Sequence, residues 1–209
     1  MEGVFISIEG TDGSGKSTQV RLVAEALRIE SGLDVVETFE PGGTEIGMKI
    51  REILIDPKTV NMSPITELML FYAARAQHAA EVIHPALRRG AYVITDRFSD
   101  STIAYQAYGR GINPELIKQL DALVLKGFKP DLTIVIDLDV TTGLSRKKSA
   151  SKADRLEMEE LLFHERVREG FLDLSKTEPL RFKVIDGSYP VETLTKRIVE
   201  TIKERFNCL

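Results

Sequence analysis

The chain has 209 residues, of which 43% are hydrophobic and 29% charged, and its formal net charge at pH 7 is −4. This composition is typical of a soluble globular domain and excludes a disordered or fibrous chain, and the acidic balance argues against bulk binding to nucleic acid or an anionic membrane. With no apolar run of membrane-spanning length, no signal-peptide pattern in the first four residues and a single cysteine, Cys208, we expect one cytoplasmic domain over residues 1–209 without disulfides.

Short apolar segments alternate with longer amphipathic ones along the chain. The predicted strands are Val4–Ile8, Val35–Phe39, Tyr92–Thr95, Leu132–Asp137 and Phe182–Ile185. The predicted helices are Lys16–Glu30, Thr44–Ile55, Pro64–Arg89, Asp100–Leu125, Arg155–Lys176 and Val191–Arg205. The strand segments are mostly continuous in Val and Ile, which is typical of strands covered on both faces. The alternation predicts an α/β domain, a five-stranded parallel sheet between helices, with its ligand site at the carboxyl ends of the strands.

A glycine-rich loop follows the first predicted strand. Its sequence, Gly10-Thr11-Asp12-Gly13-Ser14-Gly15-Lys16-Ser17-Thr18, matches the pattern G-x4-G-K-[ST]. Glycines let successive backbone N–H groups close around a polyphosphate, and the following helix presents its positive N-terminus. Lys16 would bridge the β- and γ-phosphates of a nucleotide, and Ser17 would give its hydroxyl to Mg²⁺. The sequence therefore predicts a P-loop NTPase fold that binds a nucleoside triphosphate with Mg²⁺.

If this loop binds a nucleoside triphosphate, two classes of function remain open: a nucleotide-dependent switch and a phosphoryl transferase. A GTPase switch carries [NT]-K-x-D after a late strand. The nearest match here, Ser151–Asp154, follows a polar stretch, and we interpret it as coincidental. A kinase needs a second substrate pocket and a means of excluding water. A cluster of basic residues could exclude water by forming a short lid over about residues 146–155. Such a lid would also bring arginine to the transferring group. The cluster comprises Arg146, Lys147, Lys148, Lys152 and Arg155. A solvated basic loop is the alternative interpretation.

Polar residues follow the third predicted strand directly. Asp96 and Arg97 come after Tyr92–Thr95, and since neighbouring strand residues face opposite sides, we expect them to reach different targets. Asp96 would hold the waters of Mg²⁺, which rarely has an all-protein cage, and Arg97 would form paired hydrogen bonds with a phosphate.

Two helical faces predict a pocket for a base. Phe71 and Arg75 are spaced i, i+4, and Thr102, Tyr105 and Gln106 are spaced i, i+3, i+4. An aromatic ring and an arginine on one wall, facing hydroxyl and amide groups on another, would stack on a base and hydrogen-bond to it. The alternative for Phe71 is core packing within Leu68–Ala74.

Taken together, these residues resemble the bacterial and archaeal thymidylate kinases, and the resemblance covers nearly the whole chain. The motifs that carry it are Glu9–Thr18, Glu40-Pro41-Gly42-Gly43-Thr44, Phe71–Arg75, Asp96–Ser101, Ala104-Tyr105-Gln106, Pro130–Thr133 and Asp154-Arg155-Leu156-Glu157. The resemblance implies phosphorylation of dTMP to dTDP by ATP with Mg²⁺, on the path to dTTP, by a cytoplasmic enzyme that forms a homodimer. It implies ATP and dTMP as the partners, with no role for nucleic acid or membrane.

The resemblance also implies roles for individual residues. Phe71 would stack on thymine and Arg75 would read a carbonyl of the base. Thr102 and Gln106 would meet the base edge, and Tyr105 would crowd the 2′ position of the sugar.

The remaining implied roles concern the phosphates and the sugar hydroxyl. Arg51 and Arg97 would hold the acceptor phosphate, Asp12 would meet the sugar 3′-hydroxyl, and Arg146 and Arg155 would act from the lid. Another nucleoside monophosphate kinase of the same build remains the enzyme alternative.

Two positions depart from the pattern of some relatives. Position 13 is Gly where some members carry a catalytic arginine, so the chain resembles the branch that supplies this arginine from the lid. Many bacterial members place arginine before Glu40, and here that residue is Phe39, which leaves open what supports Glu40.

Several chemistry-bearing residues are not assigned to a site. His78, His84 and His164 lack the spacing of metal ligands, Asp137 is interpreted as structural, and Cys208 as incidental.

Overall fold

The structure is a computed structural model that describes residues 3–150 and 154–207. Its sheet contains five parallel strands in the order β2-β3-β1-β4-β5. The strands are β1 (Val4–Glu9), β2 (Val35–Phe39), β3 (Tyr92–Asp96), β4 (Leu132–Asp137) and β5 (Phe182–Asp186). The predicted α/β fold with a five-stranded parallel sheet is confirmed, and each strand ends within one residue of its predicted end.

Helices cover both faces of the sheet. The helices are α1 (Lys16–Ser31), α2 (Glu45–Ile55), α3 (Pro64–His78), α4 (His84–Arg88), α5 (Ser99–Thr102), α6 (Pro114–Val124), α7 (Val140–Ala150), α8 (Leu161–Thr177) and α9 (Val191–Phe206). Two π-helical segments, Ala79–Ile83 and Ile103–Gly109, lie between α3 and α4 and after α5. Among the described residues, no helix is long and apolar enough to cross a membrane.

Alternate residues of the central strands divide the core into two layers. Ile6 and Ile134 pack with α1 and α9 on one face, whereas Phe5 and Val135 pack with aromatic residues on the other face. Because successive strand residues point to opposite faces, a continuous apolar strand can serve both layers at once. This explains why the strands read as unbroken apolar runs in the sequence.

The predicted helix Asp100–Leu125 is wrong as a single element. The chain leaves the helical path after Gly109 and resumes it at Pro114, where Asn113 Oδ1 accepts a hydrogen bond from Glu115 N (2.9 Å). Gly111 adopts a left-handed conformation (φ 74°), which glycine tolerates and a continuing helix does not. The apolar periodicity of the two pieces masked the break between them.

Two further helix boundaries differ from the sequence prediction. Helix α8 begins at Leu161 rather than Arg155, because the extended backbone of Glu160 (φ −65°, ψ 153°) interrupts the helical path. Before it, the carboxylate of Asp154 accepts the backbone N–H groups of Leu156 and Glu157 (both 2.9 Å) in a separate turn. Helix α7 was not predicted, since its first turn contains the poor helix formers Thr141 and Thr142. Asp139 Oδ1 caps this helix by accepting Thr142 N (2.9 Å).

The predicted helix Pro64–Arg89 is helical to Arg88 but contains the π-helical segment Ala79–Ile83. Pro85 has no N–H to donate, and the wider π turn ends at Ile83, two residues before it.

Candidate active site

A cavity of about 880 Å³ opens at the carboxyl ends of the strands, where the parallel sheet predicts a ligand site. It brings together most residues selected from the sequence: Asp12, Gly13, Gly15, Lys16, Ser17, Thr18, Arg51, Phe71, Arg75, Asp96, Arg97, Thr102, Tyr105, Gln106 and Arg146. Four selected residues do not line it, namely Gly10, Thr11, Ser14 and Arg155. One cavity therefore joins the phosphate loop to the predicted base pocket.

The phosphate loop connects β1 to α1 as the sequence predicts. Gly15 precedes the helix in a left-handed conformation (φ 98°), and Lys16, only 6% exposed, donates from Nζ to the carbonyl of Thr11 (2.8 Å). Burial, followed by the nearby Arg97 charge, lowers the pKa of Lys16 to about 8. The hydroxyls of Thr11 and Ser14 are buried without a hydrogen-bond partner. The loop thus holds polar groups whose bonding capacity a polyphosphate would satisfy.

The loop also packs closely against the first turn of α7. A Cβ atom on Gly13 would overlap the carbonyl oxygen of Gly143, and one on Gly143 would overlap the carbonyl oxygen of Asp12. Both atoms would lie far inside van der Waals contact, so two glycines are required for the two backbones to meet. Helix α7, which carries Arg146, is seated directly on the phosphate loop.

Oxygen groups suited to a divalent cation meet at the mouth of this loop. Ser17, at the second position of α1, donates its hydroxyl to Oδ2 of Asp96 at the end of β3 (2.5 Å). Hydroxyl and carboxylate oxygens are the ligands that Mg²⁺ prefers, and the ion commonly takes only one or two from protein. The described residues contain no cluster of three His, Cys, Asp or Glu side chains that could form a metal cage.

Arg97 is the centre of a hydrogen-bonded cluster on the cavity wall. Its guanidinium donates to Asp12 Oδ1 (2.7 Å), Tyr105 Oη (2.9 Å) and the carbonyl of Gly10 (3.0 Å), and Tyr105 donates to Asp12 Oδ2 (2.7 Å). Burial alone would raise the pKa of Asp12, but Arg97 and Lys16 outweigh it and hold that pKa well below its usual range. The backbone of Arg97 is left-handed (φ 73°). The structure thus holds an ionised carboxylate and a guanidinium beside the phosphate loop.

Glu9, the last residue of β1, supports this cluster from the core. It is fully buried and accepts hydrogen bonds from Ser7 Oγ (2.6 Å), Phe98 N (2.7 Å) and Ser101 Oγ (2.6 Å). Ser101 in turn accepts from Arg97 (3.2 Å). Burial, together with the nearby Asp100 charge, raises the pKa of Glu9 to about 7. Sequence analysis quoted Glu9 only as part of a motif and gave it no role.

Two buried residues support Glu40. Arg75 Nε donates to Glu40 Oε2 (2.7 Å), and His78 Nδ1 lies 3.0 Å from Oε1. Phe39 instead lies under the guanidinium of Arg51, with 5.5 Å between the guanidinium carbon and the ring centre. Arg51 also donates to the carbonyl of Pro41 (2.8 Å), so this arginine is held at the cavity edge by the Glu40–Thr44 segment.

The predicted base pocket contains all five residues selected for it. Arg75 is 1% exposed and uses three N–H groups, on Glu40 Oε2, Thr102 Oγ1 (2.8 Å) and the carbonyl of Phe98 (3.1 Å). A guanidinium has five N–H donors, so two remain for a ligand. Phe71 is half-buried and lines the cavity.

The two arginines expected in the lid lie in different surroundings. Arg146, on α7, is exposed and lines the cavity, and it donates to the carbonyl of Gly187 (3.5 Å). Arg155 does not line the cavity. Its guanidinium donates to Glu67 Oε2 (2.6 Å) and to the carbonyl of Leu54 (2.8 Å), and its side chain is 13% exposed. Of the remaining basic cluster, Lys152 lies outside the described residues, as does Cys208.

A second cavity of about 390 Å³ adjoins the phosphate loop on its other side. The loop Gly187–Val191 after β5 lines it opposite Ser14, Gly15 and Gln19, and Arg146 lines both cavities. Sequence analysis missed this wall. Its signal was available in the sequence, since Gly187 and Ser188 directly follow Asp186, the last residue of β5, at the carboxyl end of that strand.

The residues left unassigned from the sequence have structural surroundings. Asp137 receives both Nε and Nη2 of Arg168 (2.6 and 2.9 Å), and the ring of His84 lies 4.5 Å from that of Phe128. His164 is buried, and neither ring nitrogen has a hydrogen-bond partner.

Comparison with known proteins agrees with this geometry. The family model "Thymidylate kinase" matches residues 8–198. A thymidylate kinase of Geobacter sulfurreducens is 48% identical over 209 residues, covering 97% of this chain and 98% of that protein, and one of Deinococcus radiodurans is 45% identical, with 98% of each covered. The crystal structure of thymidylate kinase from Ehrlichia chaffeensis has a TM-score of 0.80 and 36% identity, and covers 97% of this chain and 100% of that one. The resemblance seen in the motifs is confirmed, and this chain belongs to the thymidylate kinase family.

Proposed function

We propose that this protein transfers the γ-phosphoryl group of ATP to dTMP and forms dTDP and ADP. Family membership over nearly the full chain supports the reaction. In the structure, the main support for this reaction is the cavity of about 880 Å³, in which the phosphate loop faces a pocket of aromatic, arginine and amide side chains. Such a pocket suits a pyrimidine base whose phosphate points back toward the loop.

The acceptor phosphate has cationic partners within the cavity. Arg51 and Arg97 both line it, and Arg97 is fixed by Gly10 and Ser101 as well as by Asp12. An oxygen of the dTMP phosphate attacks the γ-phosphorus, and the bond from that phosphorus to the β–γ bridging oxygen breaks as ADP leaves. Because the acceptor is already an anion, positioning and charge neutralisation carry the rate rather than proton removal.

The sugar and the base have candidate partners on the opposite walls. The carboxylate of Asp12, kept ionised beside Arg97, accepts the 3′-hydroxyl, and the ring of Tyr105 occupies space next to the 2′ position. Phe71 stacks on the base, Arg75 donates to a carbonyl of it, and Thr102 and Gln106 meet its edge.

The donor nucleotide enters from the other side of the loop. Gly10–Thr18 surrounds its phosphates and Lys16 moves from the Thr11 carbonyl to them, while the adenosine part lies in the smaller cavity beside Gly187–Val191. Arg146 lines both cavities and lies where it can reach the transferring group. Ser17 and, through water, Asp96 would hold Mg²⁺, which would neutralise charge on the phosphates of the donor.

We further propose a homodimer formed through α2 and α3. These helices pack side by side, and their outer surfaces expose the apolar side chains Ile46, Ile53, Ile65 and Met69. Light scattering on the purified protein measures the mass in solution, and a monomer at micromolar concentration would contradict this arrangement.

The reaction is tested by ADP release from ATP and Mg²⁺ with dTMP, dUMP, UMP, CMP, AMP, GMP or no acceptor. Fast turnover with dTMP and little with ribonucleotides is the expected result. Fast turnover with another monophosphate would retain the phosphate chemistry and overturn the base pocket. Slow hydrolysis that is indifferent to every acceptor would overturn the kinase and favour a switch.

A further inference from the structure

A buried carboxylate outside the cavity contacts its wall from behind. Glu67 of α3 is 1% exposed and accepts four hydrogen bonds from three side chains. Gln106 Nε2 (3.0 Å) and Arg110 Nε (3.2 Å) donate to Oε1, and Arg110 Nη2 (3.1 Å) and Arg155 Nη2 (2.6 Å) donate to Oε2. Among these partners only Gln106 lines the cavity. Glu67 is therefore positioned to act on a bound ligand through Gln106.

The charge on Glu67 determines which way the amide of Gln106 faces. Burial would raise the pKa of Glu67, but hydrogen bonds from Arg110, Gln106 and Arg155 outweigh it and lower that pKa. An ionised carboxylate only accepts hydrogen bonds, so the amide group that meets it must be the NH₂. The amide oxygen of Gln106 is then the polar end of this side chain that remains for a base.

An acceptor at this wall distinguishes between pyrimidines. Thymine and uracil carry a hydrogen on N3, whereas N3 of cytosine is a lone pair. A fixed carbonyl oxygen pairs with the first group and repels the second. Arg75, with two N–H groups still available, complements the carbonyl next to N3 in thymine and uracil but not the amino group of cytosine.

We propose that Glu67 is a specificity-determining positioning residue, which fixes the amide of Gln106 so that its oxygen selects monophosphates whose base carries an N3–H. The inference rests on the proposed function, because it needs a pyrimidine in this cavity. Glu67 would thus contribute to base specificity without contacting the substrate, and its role requires a carboxylate because only an acceptor orients the NH₂ of Gln106 toward it.

Replacing Glu67 by glutamine reverses the geometry without changing size. The Oε2 position receives Arg155 Nη2 (2.6 Å) and Arg110 Nη2 (3.1 Å), whereas Arg110 Nε (3.2 Å) is the one arginine donor at the Oε1 position. The single oxygen of the introduced amide is therefore held at the Oε2 position, and its NH₂ occupies the position that faces Gln106, where Arg110 Nε loses its acceptor. Gln106 then offers its oxygen to the introduced amide and its NH₂ to the base. A donor now faces the N3–H of thymine, which leaves both groups unpaired, while the N3 of cytosine gains a partner.

The experiment measures kcat/KM for dTMP, dUMP and dCMP with wild type and Glu67→Gln. Wild-type turnover of dTMP is measured first, and its absence would overturn the proposed function separately from this inference. The expected result is a fall of about 10- to 100-fold in the dTMP to dCMP ratio, from one mismatched hydrogen bond. The dTMP to dUMP ratio should stay constant, because both bases carry N3–H.

Two control variants isolate the orientation effect. Glu159→Gln alters a carboxylate of the same cluster, which pairs with Arg110 (2.6 Å) and does not contact Gln106, so the base ratio should not change. In a Gln106→Leu background there is no amide to reorient, so Glu67→Gln should no longer alter the ratio.

An equal loss of kcat/KM for dTMP and dCMP in Glu67→Gln would overturn the inference, since a merely structural role predicts it. If that variant does not fold, the test is made on the wild type, by measuring solvent exchange of the Gln106 side-chain NH₂ protons by NMR. We expect these protons to be protected from solvent exchange with and without dTMP. Rapid exchange in the free enzyme would contradict the bond to Glu67.

Discussion

Replacing Glu9 by glutamine should flatten the pH dependence of stability. Glu9 is fully buried, and burial together with the Asp100 charge raises its pKa from 4.5 to about 7 in the folded protein. A carboxyl group whose pKa is raised by folding contributes stability that is fully present below the unfolded pKa. This contribution is lost as the pH rises through the folded pKa.

The size of the effect follows from the two pKa values. One pKa unit corresponds to about 1.4 kcal/mol, so the difference between 4.5 and about 7 corresponds to about 3 kcal/mol over the whole titration. Between pH 5 and pH 8 the wild type should lose about 2 to 3 kcal/mol of this contribution. Glutamine does not titrate, and its amide can still accept a hydrogen bond from Phe98 N and exchange bonds with the Ser7 and Ser101 hydroxyls.

The assay is urea unfolding of wild type and Glu9→Gln between pH 5 and pH 8.5. The stability of the wild type relative to the variant should fall as the pH rises. Groups common to both proteins cancel in this difference. Glu204→Gln, at an exposed position of α9, is the control and should follow the wild type at every pH.

A constant difference between wild type and Glu9→Gln across this range would refute the reasoning. It would mean that Glu9 is ionised throughout, with Arg97 and its hydrogen-bond donors outweighing burial. A difference that grows with pH would also refute it, because that sign belongs to a carboxylate stabilised by folding.

The remaining predictions concern the arginines of the site. Arg97→Ala should lower dTMP turnover by about 10²-fold or more while calorimetric ATP binding persists, and an equal loss of ATP affinity would contradict the acceptor role. Arg97→Gly should be more stable to urea than Arg97→Ala by about 1 kcal/mol, because the left-handed backbone (φ 73°) suits glycine. Arg155→Ala should lower the free energy of unfolding by about 1–3 kcal/mol through its bond to the buried Glu67, whereas Arg146→Ala should lower kcat with an unchanged Tm. The reverse pattern would make Arg155 the arginine that acts on the phosphates.

The sheet and the phosphate loop could be predicted from the sequence because their signals are local. Continuous apolar runs predict buried parallel strands, and the spacing of Gly10, Gly15 and Lys16 predicts the loop that follows the first one. Helix ends were less predictable. The backbone hydrogen bonds to Asp154 form a separate turn, and the extended backbone of Glu160 delays the start of α8, although the sequence of residues 155–160 is equally compatible with a helix.

Individual residues of the site could be predicted from the sequence, but the hydrogen bonds and ion pairs between them could not. Spacing brought Phe71, Arg75 and Gln106 to the expected pocket, because i, i+4 positions share a helical face. Nothing local indicates that Glu67 meets Arg155 across 88 positions, or that Arg75 is the partner of Glu40. Such pairs depend on how α3 packs against the rest of the chain, and only the folded structure gives that.

The contact between Gly13 and Gly143 restricts how this enzyme can evolve. A side chain at position 13 would collide with the backbone of α7, so an arginine there requires that helix to withdraw. Yet α7 is the element that carries Arg146 toward the phosphates. An arginine in the loop and an arginine delivered by α7 in its present position are thus mutually exclusive. Because the atoms in the way belong to the backbone of Gly143, no substitution at position 143 removes the collision, and a lineage passing from one arrangement to the other must move the helix.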